Sequence, residues 1–167
     1  ILQSGAMNTY ATLVSADITV YARINGGCNG ATAPQNVSVD YQEQSVAITS
    51  VTASQATTCG TENVTFTING GTLGDGGVYE FSDLNDFSNI LQTGAMNTYT
   101  AAVSSDITIY ARINGACNGA TAAQNVAVDY QEPSVAITSV TPSQATTCGT
   151  ENVTFTINGG TLGDGGV

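Results

Sequence analysis

Hydrophobic and polar residues alternate along residues 104–119, SSDITIYARINGACNG. From Ile107 to Ile113 every second side chain is apolar, and polar side chains take most of the positions between. This period of two predicts a β-strand with one face buried and one face in water. Residues 114–119 are rich in Asn and Gly, which tolerate positive φ, so we expect the chain to reverse there and return as a strand over 124–130.

The same alternation recurs along the rest of the chain, and no segment has a helical period. The clearest case is 63–69, where Val64, Phe66 and Ile68 point one way and threonines the other. Short strands separated by turns every ~8 to 12 residues are typical of an all-β sandwich. The further predicted strands are 46–51, 78–82, 90–92 and 97–103.

A long repeat underlies these strands. Aligning residues 1–78 with 90–167 pairs 78 positions with 11 differences, which gives a period of 89 residues. The period predicts three modules: the C-terminal part of a repeat at 1–43, a complete repeat at 45–133 and the N-terminal part of a third at 134–167. With no initiating Met, leader or membrane-length apolar run, we expect an internal part of a longer exported array.

The linkers between these modules are short. Only about three residues, 43–45, separate the first two modules, and Pro133 replaces Gln44 at the next linker. A proline restricts the residue before it to extended conformations, so little swivel is expected. With strands of about seven residues at ~3.3 Å per residue plus loops, each module would add roughly 35 to 45 Å to a semi-rigid array.

Charge and composition exclude several functions. Thirteen acidic residues stand against two arginines, with no Lys or His, for a net charge of -11. Binding to nucleic acid or insertion at an anionic membrane needs clustered cations, so neither is expected. Without His or Lys no Ser-His-Asp, Cys-His or Ser-Lys arrangement can be built. Glu43, Glu62 and Glu80 lie on polar faces or loops, so we predict no enzyme and no cofactor.

One family resemblance covers the whole module. It rests on the segments CGTENVTFT from Cys59, YEFSD from Tyr79, LQTG from Leu91, TIYAR from Thr108 and NGAC from Asn114. Together they resemble the Ig-like repeats of large Bacteroidota cell-surface proteins, with Phe81 where that family usually has Trp. The resemblance implies tandem Ig-like β-sandwiches in giant adhesins or gliding-associated filaments exported by type IX secretion.

Each module carries two cysteines, one before the second strand and one at the hairpin tip. Without His or a CxxC pair no zinc site is expected, and in an exported chain a disulfide is favoured. The resemblance implies a bond between Cys59 and Cys117 within the module, which we favour, with Cys28 and Cys148 paired to cysteines of the longer array beyond residues 1–167. Five predicted strands separate Cys59 from Cys117, however. An odd count would place them at opposite ends, with Cys59 facing the tip of the next module.

Five other residues, of three types, are candidates for binding. Asp75, Asp83 and Asp86 are weak calcium candidates, although their loops read more simply as turns and do not match an EF-hand. Tyr110 and Arg112 are candidate ligand contacts on the polar face of a strand. For Arg112, pairing with an acid on a neighbouring strand is the simpler expectation.

These observations predict the shaft of an extracellular filament or giant adhesin at the cell surface, acting as a semi-rigid spacer. Its expected partners are neighbouring repeats of the same chain and other copies in a fibre. The alternative is a carbohydrate- or surface-binding module repeated for avidity, which would bind surface glycans through exposed tyrosines.

Overall fold

The computed structural model describes residues 1–167, and the chain is all-β, as predicted, with fifteen strands. It contains no helix with the length and apolar character needed to cross a membrane. The chain divides into two compact units, Ile1–Gln44 and Ser45–Val167. The predicted repeat boundaries at 43–45 and 133–134 stay predictions.

The first unit is built on one antiparallel strand pair. β1 (Ile18–Ala22) pairs with β4 (Gln35–Val39), and between them β2 (Asn25–Gly26) and β3 (Gly30–Ala31) form the hairpin tip. Thr32 closes this tip, since its backbone N–H donates to the carbonyl of Ile24 at 2.8 Å. The strand, tip and returning strand expected from the alternating pattern are therefore present.

The second unit contains the remaining strands. They are β5 (Ser50–Ala53), β6 (Thr57–Cys59), β7 (Glu62–Asn69), β8 (Val78–Ser82), β9 (Ile90–Gly94), β10 (Thr98–Val103), β11 (Ile107–Gly115), β12 (Gly119–Ala120), β13 (Gln124–Gln131), β14 (Val135–Pro142) and β15 (Phe155–Thr161).

Residues 45–132 form two sheets. One has the order β10-β7-β5, and the other has the order β6-β13-β11-β8-β9, with β12 on the end of β11. Every pairing is antiparallel except β6 with β13, which is parallel. Adjacent strands in such a sheet lie about 4.8 Å apart, so each sheet is a continuous hydrogen-bonded surface.

One core is shared by the two sheets. The alternation in β7 buries Val64, Phe66 and Ile68, and the alternation in β11 buries the side chains that pack with them. Tyr99 of β10 joins the layers, because its ring lies 6.2 Å from that of Phe66 and 5.7 Å from that of Phe81 in the other sheet. The predicted sandwich-like packing is confirmed for this part of the chain.

β14 and β15 form a separate antiparallel pair that begins at Val135, two residues after Pro133. In it Val140 pairs with Ile157, as Val51 pairs with Ile68 between β5 and β7. Val51 and Ile68 are buried, whereas their counterparts in β14 and β15 are exposed.

Two details differ from the strands predicted from the sequence. The strand expected over 46–51 is interrupted: Val46 makes an isolated bridge with Thr72, and β5 begins at Ser50. The backbone of Gly70 and Gly71 approaches this stretch closely with positive φ, which breaks the ladder. β6 was not predicted, because a Ser, Thr and Gln-rich sequence has no apolar alternation.

Candidate functional site: the predicted junction between repeats

The second linker, taken together with Gln131 at the end of β13 as residues 131–134, is held by a pair of reciprocal hydrogen bonds. The backbone N–H of Asp164 donates to the carbonyl oxygen of Glu132 at 3.0 Å. The backbone N–H of Glu132 donates in turn to the Asp164 carboxylate oxygen Oδ2 at 2.9 Å. Glu132 is the last residue before Pro133, so the loop after β15 fixes the point where one predicted repeat ends.

The next turn of the linker is fixed by Ser134 and Gly163. The backbone N–H of Gly163 donates to Ser134 Oγ at 3.0 Å. A Cβ atom on Gly163 would overlap the carbonyl oxygen of Glu132 and would lie 2.6 Å from the nitrogen of Ser134. Only glycine leaves room for the linker to lie this close to the loop.

The other side of the linker is held by the turn after β6. The backbone N–H of Gly60 donates to the carbonyl oxygen of Gln131 at 2.9 Å. Gly60 has φ of 81° and faces Pro133, whose ring carbon Cγ lies 3.6 Å from the place a Gly60 Cβ would take. The four-residue linker is thus bonded on one side to the β6–β7 turn and on the other to the 163–164 loop.

A matching arrangement surrounds Ser45, which lies 89 residues before Ser134 in the sequence. Ser45 is 6% exposed, and its Oγ accepts from the backbone N–H of Gly74 at 3.0 Å, the counterpart of the Gly163 bond. Its backbone N–H donates to Asn118 Oδ1 at 3.2 Å, and Asn118 Nδ2 donates to its carbonyl oxygen at 2.9 Å. The β11–β12 hairpin tip therefore holds the point where the complete repeat is predicted to begin.

The cysteines lie at opposite ends of the larger sheet. Cys59 ends β6, opposite Gln131 of β13, and Cys117 lies in the turn after β11. Because β11 and β13 are antiparallel, the whole of β11 separates the two. Its nine residues span about 30 Å at ~3.3 Å per residue, whereas a disulfide needs Cα atoms within ~7 Å. All four cysteines are exposed, and the structure contains no disulfide, so the implied Cys59–Cys117 bond is absent.

The three calcium candidates are not brought together. Asp75 precedes β8 and Asp83 and Asp86 follow it, so a five-residue strand of about 16 Å lies between them. Both oxygens of Asp83 accept from Asn89 Nδ2, at 2.9 and 3.1 Å. Asp86 accepts from the backbone N–H and the hydroxyl of Ser88, and these bonds lower the pKa of Asp86. No group of three or more His, Cys, Asp or Glu side chains is arranged to hold a metal ion.

Arg112 has an acidic partner on the neighbouring strand, as expected. Its Nε lies 2.8 Å from Glu80 Oε2, and Asn114 Nδ2 donates to the other carboxylate oxygen at 2.9 Å. The guanidinium carbon lies 3.9 Å from the centre of the Phe87 ring. The guanidinium of Arg112, the only cation in residues 45–133, is therefore paired with the Glu80 carboxylate and covered by the Phe87 ring.

Phe87 was missed as a structural residue, because it stands in a polar loop. It is 7% exposed and has φ of 57°, a left-handed conformation that is uncommon outside glycine. The ring completes the enclosure of Arg112. A lone aromatic residue in an otherwise polar loop was the available sequence signal.

The side chain of Tyr110 is not fully exposed on its sheet. It is half-buried on β11, between Ser82 of β8 and Asn125 of β13. In the first unit the corresponding Tyr21 is 66% exposed, and Tyr41 is 40% exposed. Aromatic exposure is thus lower where the sheet is complete.

The residues that hold the linker were not among the candidates. Ser45 was predicted only as part of the short linker, and no role was predicted for Asn118, Ser134, Gly163 and Asp164, although the recurrence of Ser and of Gly-Asp-Gly-Gly at one spacing was visible. No protein-family model matches the chain, and no curated protein matches it in sequence.

Proposed function

We propose that this chain consists of tandem Ig-like β-sandwich repeats of 89 residues that form the shaft of an extracellular filament or cell-surface adhesin. The observation that carries the proposal is the linker, which is bonded to the loops on both of its sides rather than left as a free tether. A shaft needs many equal units held in line, and this is what the near-identity of the copies favours.

The strand order supports the Ig-like assignment. Three strands, β5, β7 and β10, face a sheet in which β13, β11, β8 and β9 are consecutive neighbours. Two antiparallel sheets that share one core in this arrangement are typical of Ig-like sandwiches. The parallel β6 then serves as the second half of a first strand that changes sheets.

The strand registers support the 89-residue period. Ile107 pairs with Val128 and Ile18 with Val39, the same register one period earlier. The β14–β15 hairpin likewise repeats the pairing of β5 with β7, including a serine hydroxyl that accepts from a threonine N–H at 3.1 Å in both. Equal sequences thus form equal local structures.

The mechanism of the proposed shaft is mechanical spacing. Each repeat buries its own core, and the linker bonds limit swivel between one repeat and the next. The net charge of -11 over 167 residues keeps the surface of the shaft hydrated. Lateral contacts with other copies in a fibre are a further part of the proposal.

Small-angle X-ray scattering on chains of two, four and six complete repeats tests this function. We expect the maximum dimension to increase by roughly 35 to 45 Å for each added repeat, because each repeat is a rod about seven residues of strand long plus its loops. A dimension that grows with the square root of repeat number would contradict the proposal, since that is the behaviour of freely jointed units.

Exposed tyrosines in the first unit support one alternative, a glycan-binding repeat. Tyr21 is 66% exposed, and an exposed aromatic face is what a sugar ring stacks on. A glycan array separates the two functions. Binding that is lost in Tyr21→Ala and Tyr110→Ala would favour recognition, and an absence of binding would favour the shaft.

A further inference from the structure

We propose that consecutive repeats are joined by a disulfide bond between the cysteine that ends β6 in one repeat and the hairpin-tip cysteine of the next. For the complete repeat this is Cys59, and its partner is the cysteine one period after Cys117. The inference rests on the proposed array of repeats, but the bond is mapped chemically and independently of the length of the array.

The first step is the position of Cys59. The neighbouring Gly60 donates its N–H to the carbonyl of Gln131 at 2.9 Å and faces the ring of Pro133. Cys59 itself pairs with Gln131 in the parallel ladder between β6 and β13. Its exposed side chain is therefore at the start of the linker, at the C-terminal end of its repeat.

The second step is the position of the hairpin tip. Cys117 directly precedes Asn118, whose side-chain amide binds both the N–H and the carbonyl of Ser45. The tip cysteine is thus at the N-terminal end of its repeat, where the chain enters. Cys117 therefore lies at the N-terminal end of the repeat and Cys59 lies at its C-terminal end.

The third step brings the two ends together. Ser134 is the counterpart of Ser45, and its Oγ already accepts from Gly163 as Ser45 Oγ accepts from Gly74, both at 3.0 Å. A third repeat folded like the second places its tip asparagine on Ser134. Ser134 is three residues from Gln131, at most about 10 Å along the chain.

Both thiols therefore border the same linker, one from each side. The linker between them is at most about 10 Å long, whereas about 30 Å of strand lies between Cys59 and Cys117, and a disulfide needs Cα atoms within ~7 Å. The next repeat is the partner that the fold brings within reach. A bond there would fix the rotation of one repeat about the next.

The chemistry requires an oxidant, which we take to be a disulfide such as oxidised glutathione. One cysteine thiolate attacks a glutathione sulfur, forms a mixed disulfide and releases one glutathione. The second thiolate attacks the cysteine sulfur of that mixed disulfide and releases the other glutathione. Two protein thiols and one glutathione disulfide thus become one protein disulfide and two glutathione thiols.

The test uses the full chain lengthened to close its third repeat, by adding a second run of residues 79–132 after Val167. The protein is oxidised in a glutathione buffer at low concentration, and its non-reduced peptides are mapped by mass spectrometry. We expect Cys59 to be linked to the added tip cysteine within one chain, with Cys28, Cys117 and Cys148 left as thiols. The 167-residue chain, treated identically, should form no Cys59–Cys117 bond.

Two variants keep the result unambiguous. Cys117→Ser removes the other copy of the same tip sequence and should leave the bond in place. Cys59→Ser should leave every remaining cysteine reactive to a thiol reagent. A Cys59–Cys117 bond in either chain, a Cys59 that remains a thiol in the lengthened chain, or a Cys59 linked only between chains would overturn the proposal. None of these outcomes alters the length per repeat, so the shaft is judged separately.

Discussion

Glu80 and Arg112 carry opposite charges on adjacent strands and are both largely withdrawn from water. The carboxylate side chain is 10% exposed and the guanidinium side chain 23% exposed. A buried charge is tolerated only with a partner, and here each carboxylate oxygen has one, from Arg112 or from Asn114. Sequence alone suggested an acidic partner for Arg112 but could not identify it, because Glu80 lies 32 residues away and several acids were available.

Replacing Arg112 by methionine tests this pair. We expect Arg112→Met to lower the free energy of unfolding by about 1.5 to 3 kcal/mol, because it leaves the Glu80 carboxylate short of a charged hydrogen-bond donor. Urea denaturation measures the change. Arg23→Met is the matched control: Arg23 has the same place in the sequence repeat but lies just after β1 and is exposed, so its loss should change stability by less than about 0.5 kcal/mol. Equal effects would contradict the assigned role.

Asp86 provides a pH-dependent contact in the loop before β9. Hydrogen bonds from the backbone and hydroxyl of Ser88 hold its pKa below the ordinary value of 3.8. Since the folded pKa is the lower one, the stabilisation is present above pH 3.8 and is lost as the pH falls through the folded pKa. NMR titration of the Asp86 carboxyl carbon should show the depressed value. In Ser88→Ala the value should move back toward 3.8, and an unchanged titration would exclude the hydroxyl as a cause.

Strands β7 and β11 show why local patterning predicted so much of the fold. Their apolar side chains alternate without a break, and a slip of one residue would expose the whole set, so the register is strongly specified. β6 lacks that signal. Thr58 at its centre is 2% exposed although threonine is polar, and the strand exists because β13 offers it a free edge. A strand that forms through tertiary pairing of this kind cannot be predicted from the local pattern of hydrophobic and polar residues.

Phe66 and Phe155 provide a direct comparison between a buried and an exposed copy of one residue. Phe66 is 0% exposed and touches the ring of Tyr99, whereas Phe155 is 66% exposed on β15. Phe66→Ala should therefore destabilise the second unit by about 3 to 5 kcal/mol through lost burial and a cavity. Phe155→Ala should change stability by less than about 0.5 kcal/mol. Thermal unfolding followed by circular dichroism distinguishes them, and a large effect of Phe155→Ala would mean that β15 is covered in solution.

At the scale of the whole molecule, the sequence predicts an 89-residue period, which stays a prediction, and it does not predict the hydrogen bonds that hold residues 131–134. The 89-residue period and the short linker follow from counting. The Glu132–Asp164 hydrogen bonds form because β14 and β15 place the loop that contains Asp164 next to Glu132, 32 residues earlier in the sequence. The cysteines show the same limit. Counting predicted strands allowed two connectivities, and only the parallel pairing of β6 with β13 shows that Cys59 and Cys117 lie at opposite ends of the larger sheet.

Gly163→Ala is predicted to loosen the junction. A methyl group there would overlap the Glu132 carbonyl oxygen, so the loop must move away and the two Glu132–Asp164 bonds are lost. Amide hydrogen exchange should accelerate at Glu132 and Asp164, while the amides of β7 and β11 keep their protection. Gly27→Ala is the control, because a Cβ at Gly27 meets no atom within 4 Å. Unchanged exchange in Gly163→Ala would show that the linker is not held by this loop.

The parallel pairing of β6 with β13 would have a consequence for the proposed shaft under tension. The complete repeat is entered at Ser45 and left at Gln131, and these points lie at opposite ends of the larger sheet. A pulling force therefore draws β6 and β13 past each other along their length, which loads the hydrogen bonds between them in shear and all at once. Strands that were peeled apart would instead release their bonds singly and at lower force. A parallel contact of only three residues can in this way act as the mechanical clamp of the whole repeat.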